Sequence, residues 1–500
     1  MTMTTPAHYR LSRTTILSGG ASRATLVGGM PVTLMRLAPT SSSLIDAQRR
    51  IRVGPESPPA AGALARRLTD AGLAFREVAD AEPSTYVELC DLAIVVPVHD
   101  PAVSLHPLKL ALHDVLAAGA ELIIVDDGSA DPVRATAGAT LIRHEVARGP
   151  AAARNAGARE ACSRGRHTVA FLDADVVPLS GWLEPLLAHL REPGVVLAAP
   201  RIVAAYPRRF GVAGFETARS ALDMGPEPAP VRPRGMVPYV PSAAFVLRLD
   251  RLPVVGDADA GPEAAPDVDP DVDPDAPFDE SMRVAEDVDL CWRLHRGGAR
   301  LRYEPAARVA HRHRLDASGM LARRELYGTG AARLAADHGD AVAPAVFSAQ
   351  TLATVALLWW GRRWSTILAA LLAADSARRV HRTTRNPVLT ARLVSRSLAG
   401  AFRQLPSAML RPYWPVTAVM TVVALPSKRT RRLAGVVGVA AVVEALDHWW
   451  GCREPRRLPA DEPLGHVILH RLDDFAYGAG VWRSAIAGRS AAALRPDLRW

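Results

Sequence analysis

The sequence predicts an α/β fold with an open, mostly parallel sheet and helices on both faces, and three observations predict it. Leu92 to Val98, Leu122 to Val125 and Thr168 to Leu172 are short, continuous apolar runs rich in β-branched residues, the pattern of strands buried on both faces. Helix-length segments, Val103 to Ala118 and Ala151 to Ser163, alternate with them. Such alternation implies right-handed crossovers that line up the strand C-termini along one edge. Asp126, Asp127, Asp173 and Asp175 fall just past those C-termini, where open α/β sheets bind ligands. Four carboxylates in one crevice repel each other, so the crevice calls for a divalent cation and for hydroxyl or imide groups.

In chain order, residues 1–24 are Thr-, Ser- and Arg-rich and read as a disordered tail. Residues 25–82 form a small module: L-V-G-G-M-P-V-T-L suggests a hairpin, and Gly62 to Ala71, with Leu64 and Leu68 four apart before Gly72, a short helix. Residues 83–330 are expected to form the α/β domain that carries these carboxylates. Within it, Pro200 to Pro241 suggests loops with a short helix, and V-P-Y-V-P-S-A-A-F-V (Val237 to Val246) leads into a further strand. Ser242 there is a ligand contact or a plain turn residue. The acidic, Pro-rich insert Asp257 to Pro277 lacks the glycine and bidentate glutamate of a calcium loop and reads as a solvated loop. After it, Val284, Val288, Cys291, Trp292 and His295 share one helix face, and Gly297-Gly298 ends that helix.

Residues 331–500 change character. Gln350 to Gly361, Trp364 to Ala374, Pro415 to Pro426 and Leu433 to Leu446 are apolar runs of 11 to 14 residues, short of the roughly 20 that span a bilayer. Fourteen Lys/Arg against one acid, Asp375, lie between Arg362 and Arg432, and eight of the ten tryptophans lie beyond position 350. Cationic helices with tryptophan at their edges suit an anionic membrane surface; a solvated basic helical domain and true spanning segments are the alternatives.

The 500-residue chain is 49% hydrophobic, enough for two or three cores. Its net charge of +9 invites a nucleic-acid reading, but the positive charge sits in the tail while the cleft is acidic, so no nucleic-acid partner is expected. Neither lysine, Lys109 or Lys428, follows a glycine, and no G-x-G-x-x-G follows the first strand, which removes a Walker loop and a dinucleotide fingerprint. Cys90, Cys162, Cys291 and Cys452 are widely spaced and read as buried free thiols of a reducing compartment. With no secretory signal in residues 1–40, a cytoplasmic active site is expected, with a peripheral position on the inner face of the membrane as its extension.

Four short signatures stand in fixed order: I-I-V-D-D-G-S (Ile123 to Ser129), A-R-N-A-G (Ala153 to Gly157), F-L-D-A-D (Phe171 to Asp175) and A-E-D-V-D-L (Ala285 to Leu290). From Leu92 to about Arg314 the chain resembles a family 2, GT-A-type nucleotide-sugar glycosyltransferase. That resemblance implies a nucleotide-sugar donor held by Asp126, Asp127, Arg154 and Asp173, and a divalent metal, Mn²⁺ or Mg²⁺, on Asp173, Asp175 and His311. It also implies catalysis by the pair Glu286 and Asp287, with Asp287 as the base and Ser242 and Trp292 on the acceptor side. The chemistry fits these residue types. A metal neutralises the departing diphosphate, a carboxylate takes the proton of the attacking hydroxyl, and a single displacement inverts the anomeric centre.

Within the family, F-L-D-A-D, V-P-S-A-A, R-V-A-E-D-V-D-L-C-W-R-L and the late L-D-D-F-A-Y-G-A-G-V-W (Leu472 to Trp482) are similar to the glycosyltransferases of mycofactocin biosynthesis. This implies UDP-glucose as donor, β-1,4-linked glucose as product and a peptide-derived redox cofactor as acceptor. The 25–82 module then resembles winged-helix-like peptide-recognition modules; a structural cap is the other reading. The late string has no role derivable from the residues, with Gly478 and Gly480 read as a close approach to a ligand or as turns. A membrane polysaccharide or polyprenyl-phosphate sugar transferase is the alternative enzyme, although Q-x-x-R-W is missing. The non-enzymatic alternative is a nucleotide-binding module without turnover.

Overall fold

The computed structural model describes residues 6–19, 24–78, 85–101, 104–134, 138–208, 211–253, 273, 275–313, 316–424, 428–451 and 463–499. Cys452 and most of the acidic insert lie outside them. The chain forms two units, residues 1–206 with 220–312 and residues 207–219 with 313–500.

The first unit begins with β1 (Ala7–Leu11) and β2 (Ile16–Ser18), which corrects the expected disordered tail. Ala7, Tyr9 and Leu11 alternate inward, a period-two signal too short to stand out among the surrounding Ser, Thr and Arg. There follow β3 (Thr25–Gly28), β4 (Thr33–Arg36), α1 (Pro39–Ser42), β5 (Arg50–Val53), α2 (Pro59–Asp70), β6 (Ala74–Glu77) and α3 (Tyr86–Cys90). The expected hairpin is β3–β4, and the expected helix is α2. β1 pairs antiparallel with both β5 and β6, and α2 buries Leu64, Ala65 and Leu68 in one core with Tyr9, Leu11 and Ile51. Among its described residues the module has two three-stranded sheets and the twelve-residue helix α2. Asp70 at the end of α2 pairs with Arg300 at 2.9 Å and Arg302 at 2.8 Å, which fixes the module to the domain that follows.

That domain comprises β7 (Leu92–Val98), α4 (His106–Ala117), β8 (Glu121–Asp127), β9 (Ala139–His144), α5 (Pro150–Ser163), β10 (Thr168–Leu172), β11 (Val176–Pro178), α6 (Leu183–Leu190), β12 (Val195–Ala204), β13 (Ala229–Pro230), β14 (Ala244–Arg248), α8 (Glu286–Arg296) and β15 (Arg300–His311). The intervening α7 (Gly211–Ala218) belongs to the second unit. The sheet order is β11-β15-β12-β14-β10-β7-β8-β9, with β13 beside β15. β9, β8, β7, β10, β12 and β15 run one way and β14, β11 and β13 the other, so the sheet is mostly parallel.

Two reversed strands shape the edge where the acids lie. β14 runs against β10 with Ala244 opposite Leu172, so the chain enters β14 at the C-terminal end of β10 and Ser242 arrives beside Asp173. β11 runs against β15 with Val176 opposite His311, which carries Asp175 to that histidine.

The second unit is α7 with α9 (Ala317–Thr329), α10 (Ala331–His338), β16 (Val346–Ser348), α11 (Ala349–Trp360), α12 (Arg363–Thr384), α13 (Pro387–Leu410), α14 (Trp414–Ala424), α15 (Lys428–Gly451), α16 (Pro463–Ala487) and β17 (Asp497–Arg499). The expected boundary at 330 moves to about 312, because α9 packs on α16. A Cβ on Gly480 would fall within the van der Waals envelope of the Glu325 carbonyl, and one on Gly478 within that of the Arg411 carbonyl. The late string Leu472 to Trp482 is therefore neither a turn nor a ligand loop but the contact face of a helix. Its Asp473 and Asp474 are buried and accept from Arg411 at 2.9 and 2.8 Å. Arg324 joins Asp473 to Glu216, 2.6 Å away, and Trp482 donates to the Pro412 carbonyl at 2.7 Å. Among the described residues no helix is long and apolar enough to cross a membrane.

Gly157, the last residue of A-R-N-A-G, lets α5 lie directly on β7, since a Cβ there would overlap the Val95 side chain. Gly157→Leu is expected to cost on the order of 1–3 kcal/mol in urea denaturation, with part of the loss recovered in Gly157→Leu/Val95→Ala. An additive double variant would rule out that contact as the cause.

Candidate active site

The acid pair that closes β8 is held from three sides. Asp126 is fully buried and accepts from the backbone of Ser129 and Val133, each at 3.0 Å, and from Arg143. Asp127 accepts from His144 at 2.7 Å and from the backbone N–H groups of Arg148 and Gly149 at 2.9 and 2.8 Å. Burial pushes both carboxyls up, but these hydrogen bonds outweigh it and hold them below the usual carboxylate range. The resemblance gives Asp126 and Asp127 to the nucleotide-sugar donor; in the structure their carboxylates also shape the loops 128–134 and 145–149, with Gly149 at φ 102° starting α5.

Their partners Arg143 and His144 were missed in the sequence. The signal was the register: β9 runs parallel to β8 with Asp126 opposite Arg143 and Asp127 opposite His144, so R-H closes one strand where D-D closes its neighbour. The loops after β7 and β8 are tied by Asp100, which donates from its N–H to Ser129 Oγ at 3.0 Å and accepts from Ala130 at 2.8 Å. A cavity of about 690 Å³ opens between them, lined in part by Pro101, Lys109, Asp131 and Arg134.

Five of the other predicted residues form one hydrogen-bonded chain. Arg154 is buried on α5 and donates through Nη2 to Asp173 at 2.7 Å and through Nη1 to Glu286 at 2.9 Å, with Phe278 5.6 Å from the guanidinium. Ser242 donates its hydroxyl to the same Glu286 oxygen at 3.1 Å and its N–H to Asp287 at 3.2 Å. Ala285 takes the left-handed conformation, φ 67°, and turns the chain so that both acids enter the first turn of α8. There the helix N-terminus favours negative charge. Even so, burial and then the neighbouring Glu286 carboxylate push Asp287 up to about 7.

At the far end of the chain, Asp173 is raised first by burial and then by Asp175, with Arg154 pulling against both. Asp175 Oδ2 is 3.3 Å from His311 Nε2, and the side chains of Asp173 and Asp175 are 32% and 38% exposed. Two accessible carboxylates beside an imidazole suit a hard divalent cation, and mutual repulsion within the pair is what such a cation would relieve. Ser242 stands beside both acids of the E-D pair. Trp292 is buried with Nε1 donating to the Pro238 carbonyl at 2.8 Å, so it supports the segment leading to Ser242. Cys291 beside it is buried too, its thiol pushed up to about 12, an inert state.

Among known proteins, the family described as Glycosyl transferase family 2 matches residues 93–244. Proteins named Pre-mycofactocin glycosyltransferase from Mycobacterium tuberculosis, strains CDC 1551 / Oshkosh and ATCC 25618 / H37Rv, are 38% identical to this chain over 499 residues, covering 97% of it and 96% of each of them. Among solved structures, GalNAc-T7 with UDP, GalNAc and Mn²⁺ is 16% identical at a TM-score of 0.32, covering 45% of this chain and 44% of that one. TarS 1-349 of S. aureus is 14% identical at a TM-score of 0.32, covering 79% and 91%. By its identity to these relatives along nearly its whole length, this chain belongs to the family 2 glycosyltransferases, among the pre-mycofactocin glycosyltransferases.

Proposed function

We propose that this glycosyltransferase is a metal-dependent inverting hexosyltransferase that moves glucose from UDP-glucose to pre-mycofactocin, a peptide-derived redox cofactor, and extends it with β-1,4-linked glucose. The acceptor is taken from the names of the M. tuberculosis relatives, and the donor and linkage from the family resemblance. The observation that carries the mechanism is the unbroken chain Asp173, Arg154, Glu286, Ser242, Asp287. It joins the acids that face the donor diphosphate to the acid that faces the acceptor.

Asp287 takes the proton of the acceptor hydroxyl as the sugar is transferred. With its carboxyl at about 7, it is close to the basicity that general-base catalysis at neutral pH favours. Ser242 holds one oxygen of Asp287 through its N–H and leaves the carboxylate a fixed direction. Glu286 accepts from Arg154 and, standing beside Asp287, helps raise it. Asp173, Asp175 and His311 would hold the divalent metal, which when bound neutralises the leaving diphosphate. Asp126 and Asp127 act on the donor through the loops they fix.

The reaction would take place in the cytoplasm, against a membrane surface. Trp364, Ile367 and Leu371 on α12 and Val419, Met420 and Val423 on α14 are each more than half exposed, among helices rich in arginine. Co-sedimentation with phosphatidylglycerol vesicles but not with phosphatidylcholine vesicles supports this contact, and equal partition into both pellets and supernatants rules it out.

Incubation with UDP-glucose, Mn²⁺ and pre-mycofactocin should add successive hexose masses to the acceptor; UDP release with no such increments would overturn the acceptor. Asp287→Asn is expected to lower the transfer rate at least about 10²-fold with UDP-glucose affinity nearly unchanged, and retained transfer would place the base elsewhere. Asp175→Ala should weaken donor binding only when metal is present.

The raised carboxyl also has a stability consequence. A group that still holds its proton in the folded chain, after the unfolded chain has lost it, makes stability fall as pH climbs from about 4 towards 7. Asp287→Asn removes that loss, so its Tm advantage over wild type should grow between pH 5 and pH 8, while wild-type turnover rises across the same interval. A pH-independent Tm difference would contradict the assignment.

A further inference from the structure

The second unit holds a cluster of imidazoles that sugar transfer does not use. α15 carries Glu444 and His448, and α16 carries His466 and His470; each pair is four residues apart and so lies on one helix face. His466 and His470 are fully buried. One nitrogen of each of the three imidazoles lies within 4.8 Å of the others. His448 Nδ1 and His466 Nε2 are 3.2 Å apart, close to the roughly 3.3 Å between two nitrogens bound tetrahedrally to Zn²⁺ with bonds of about 2.05 Å. Glu444 Oε2 lies 3.4 Å from His470 Nε2.

The rings do not satisfy one another, since His466 Nδ1 finds no hydrogen-bond partner among the described residues. Burial, helped by the positive charge of Arg219 and by the sister rings, holds His448 at about 3 and His466 at about 4. Both are thus neutral near pH 7, the form that ligates metals.

We propose that His448, His466 and His470 form a binding site for a borderline divalent cation, Zn²⁺ foremost, that clamps α15 to α16, with Glu444 as the fourth ligand or as the acceptor that orients His470. Three imidazoles and one carboxylate select Zn²⁺ over the Mg²⁺ or Mn²⁺ that an all-oxygen set prefers. Two i, i+4 pairs from facing helices are how helical bundles build such centres. Arg219 packs against the His470 ring, but Asp473 and Asp474 lie 4.0 and 3.7 Å from its Nη2. It therefore has carboxylates to turn to when a cation takes the imidazoles. Asp474, fully buried on α16, adds negative charge that offsets the cation.

The test uses the full-length protein, stripped with chelator and equilibrated with Zn²⁺, with elemental analysis as the readout. Wild type and Asp175→Ala should each retain about one Zn²⁺ per chain, because the donor-side acids are not involved, and His466→Gln/His470→Gln should retain none. Zn²⁺ should raise the Tm of the stripped wild type by on the order of 5 °C. Co²⁺ in its place should give the intense ligand-field absorption of a tetrahedral site. Absence of bound Zn²⁺ at tens of micromolar, undiminished binding in the double variant, or a weak octahedral Co²⁺ spectrum would each overturn the proposal. If the double variant does not fold, the wild-type Co²⁺ spectrum and the single variant His448→Gln, expected to bind at least about tenfold more weakly, still decide it.

Discussion

The buried guanidinium of Arg154 is the constraint on which the rest of the active edge depends. A charge taken out of water is tolerable only with partners at hydrogen-bond distance, and Arg154 finds them on two different elements: Asp173, just past β10, and Glu286, at the start of α8. The side chain thereby sets the distance between the sheet edge at Asp173 and the helix that carries Asp287. It can do so because Gly157, three residues further along α5, allows the helix to lie against β7. The A-R-N-A-G signature is thus one device with two parts, a small residue for close approach and a cation delivered by that approach.

Residue type alone does not fix what the carboxylates do. Asp126 and Asp127 are held below the usual range by backbone N–H groups and basic partners and serve as fixed anions that shape loops. Asp287 has the same side chain but stands beside another acid in a half-buried helix start, and it is driven the other way, to about 7. The difference lies in how many donors surround each one. One edge of one sheet therefore carries acids held below the usual carboxylate range on one strand and, across the Arg154 bridge, an acid pushed well above it.

The helical unit answers a different problem with similar means. Its helices are longer than their apolar runs and carry arginines along their length, so part of its interior is ionic: Arg324, Arg411, Glu216, Asp473 and Asp474 are tied together. Small residues at Gly328, Gly478 and Gly480 let the helix backbones approach closely beside those ion pairs. Apolar side chains of α12 and α14 remain turned outward, an unusual distribution for helices whose polar groups are partly inside.

The sequence by itself determined the strands at Leu92–Val98 and Thr168–Leu172, the helices α2, α5 and α8, and the order of the acidic signatures along one sheet edge. These are local matters of period, branching and capping, and they need no knowledge of the partner strand. Only the tertiary structure decided that the Asp126–Asp127 pair is engaged by Arg143 and His144, that Trp292 holds the Pro238 segment before Ser242, and that α9 belongs with α16. It likewise decided that β1 is the centre of a sheet where a tail was expected. Each of these rests on register between strands or on packing between helices distant in sequence. A two-fold period or a lone glycine shows that a face exists, but not what lies against it.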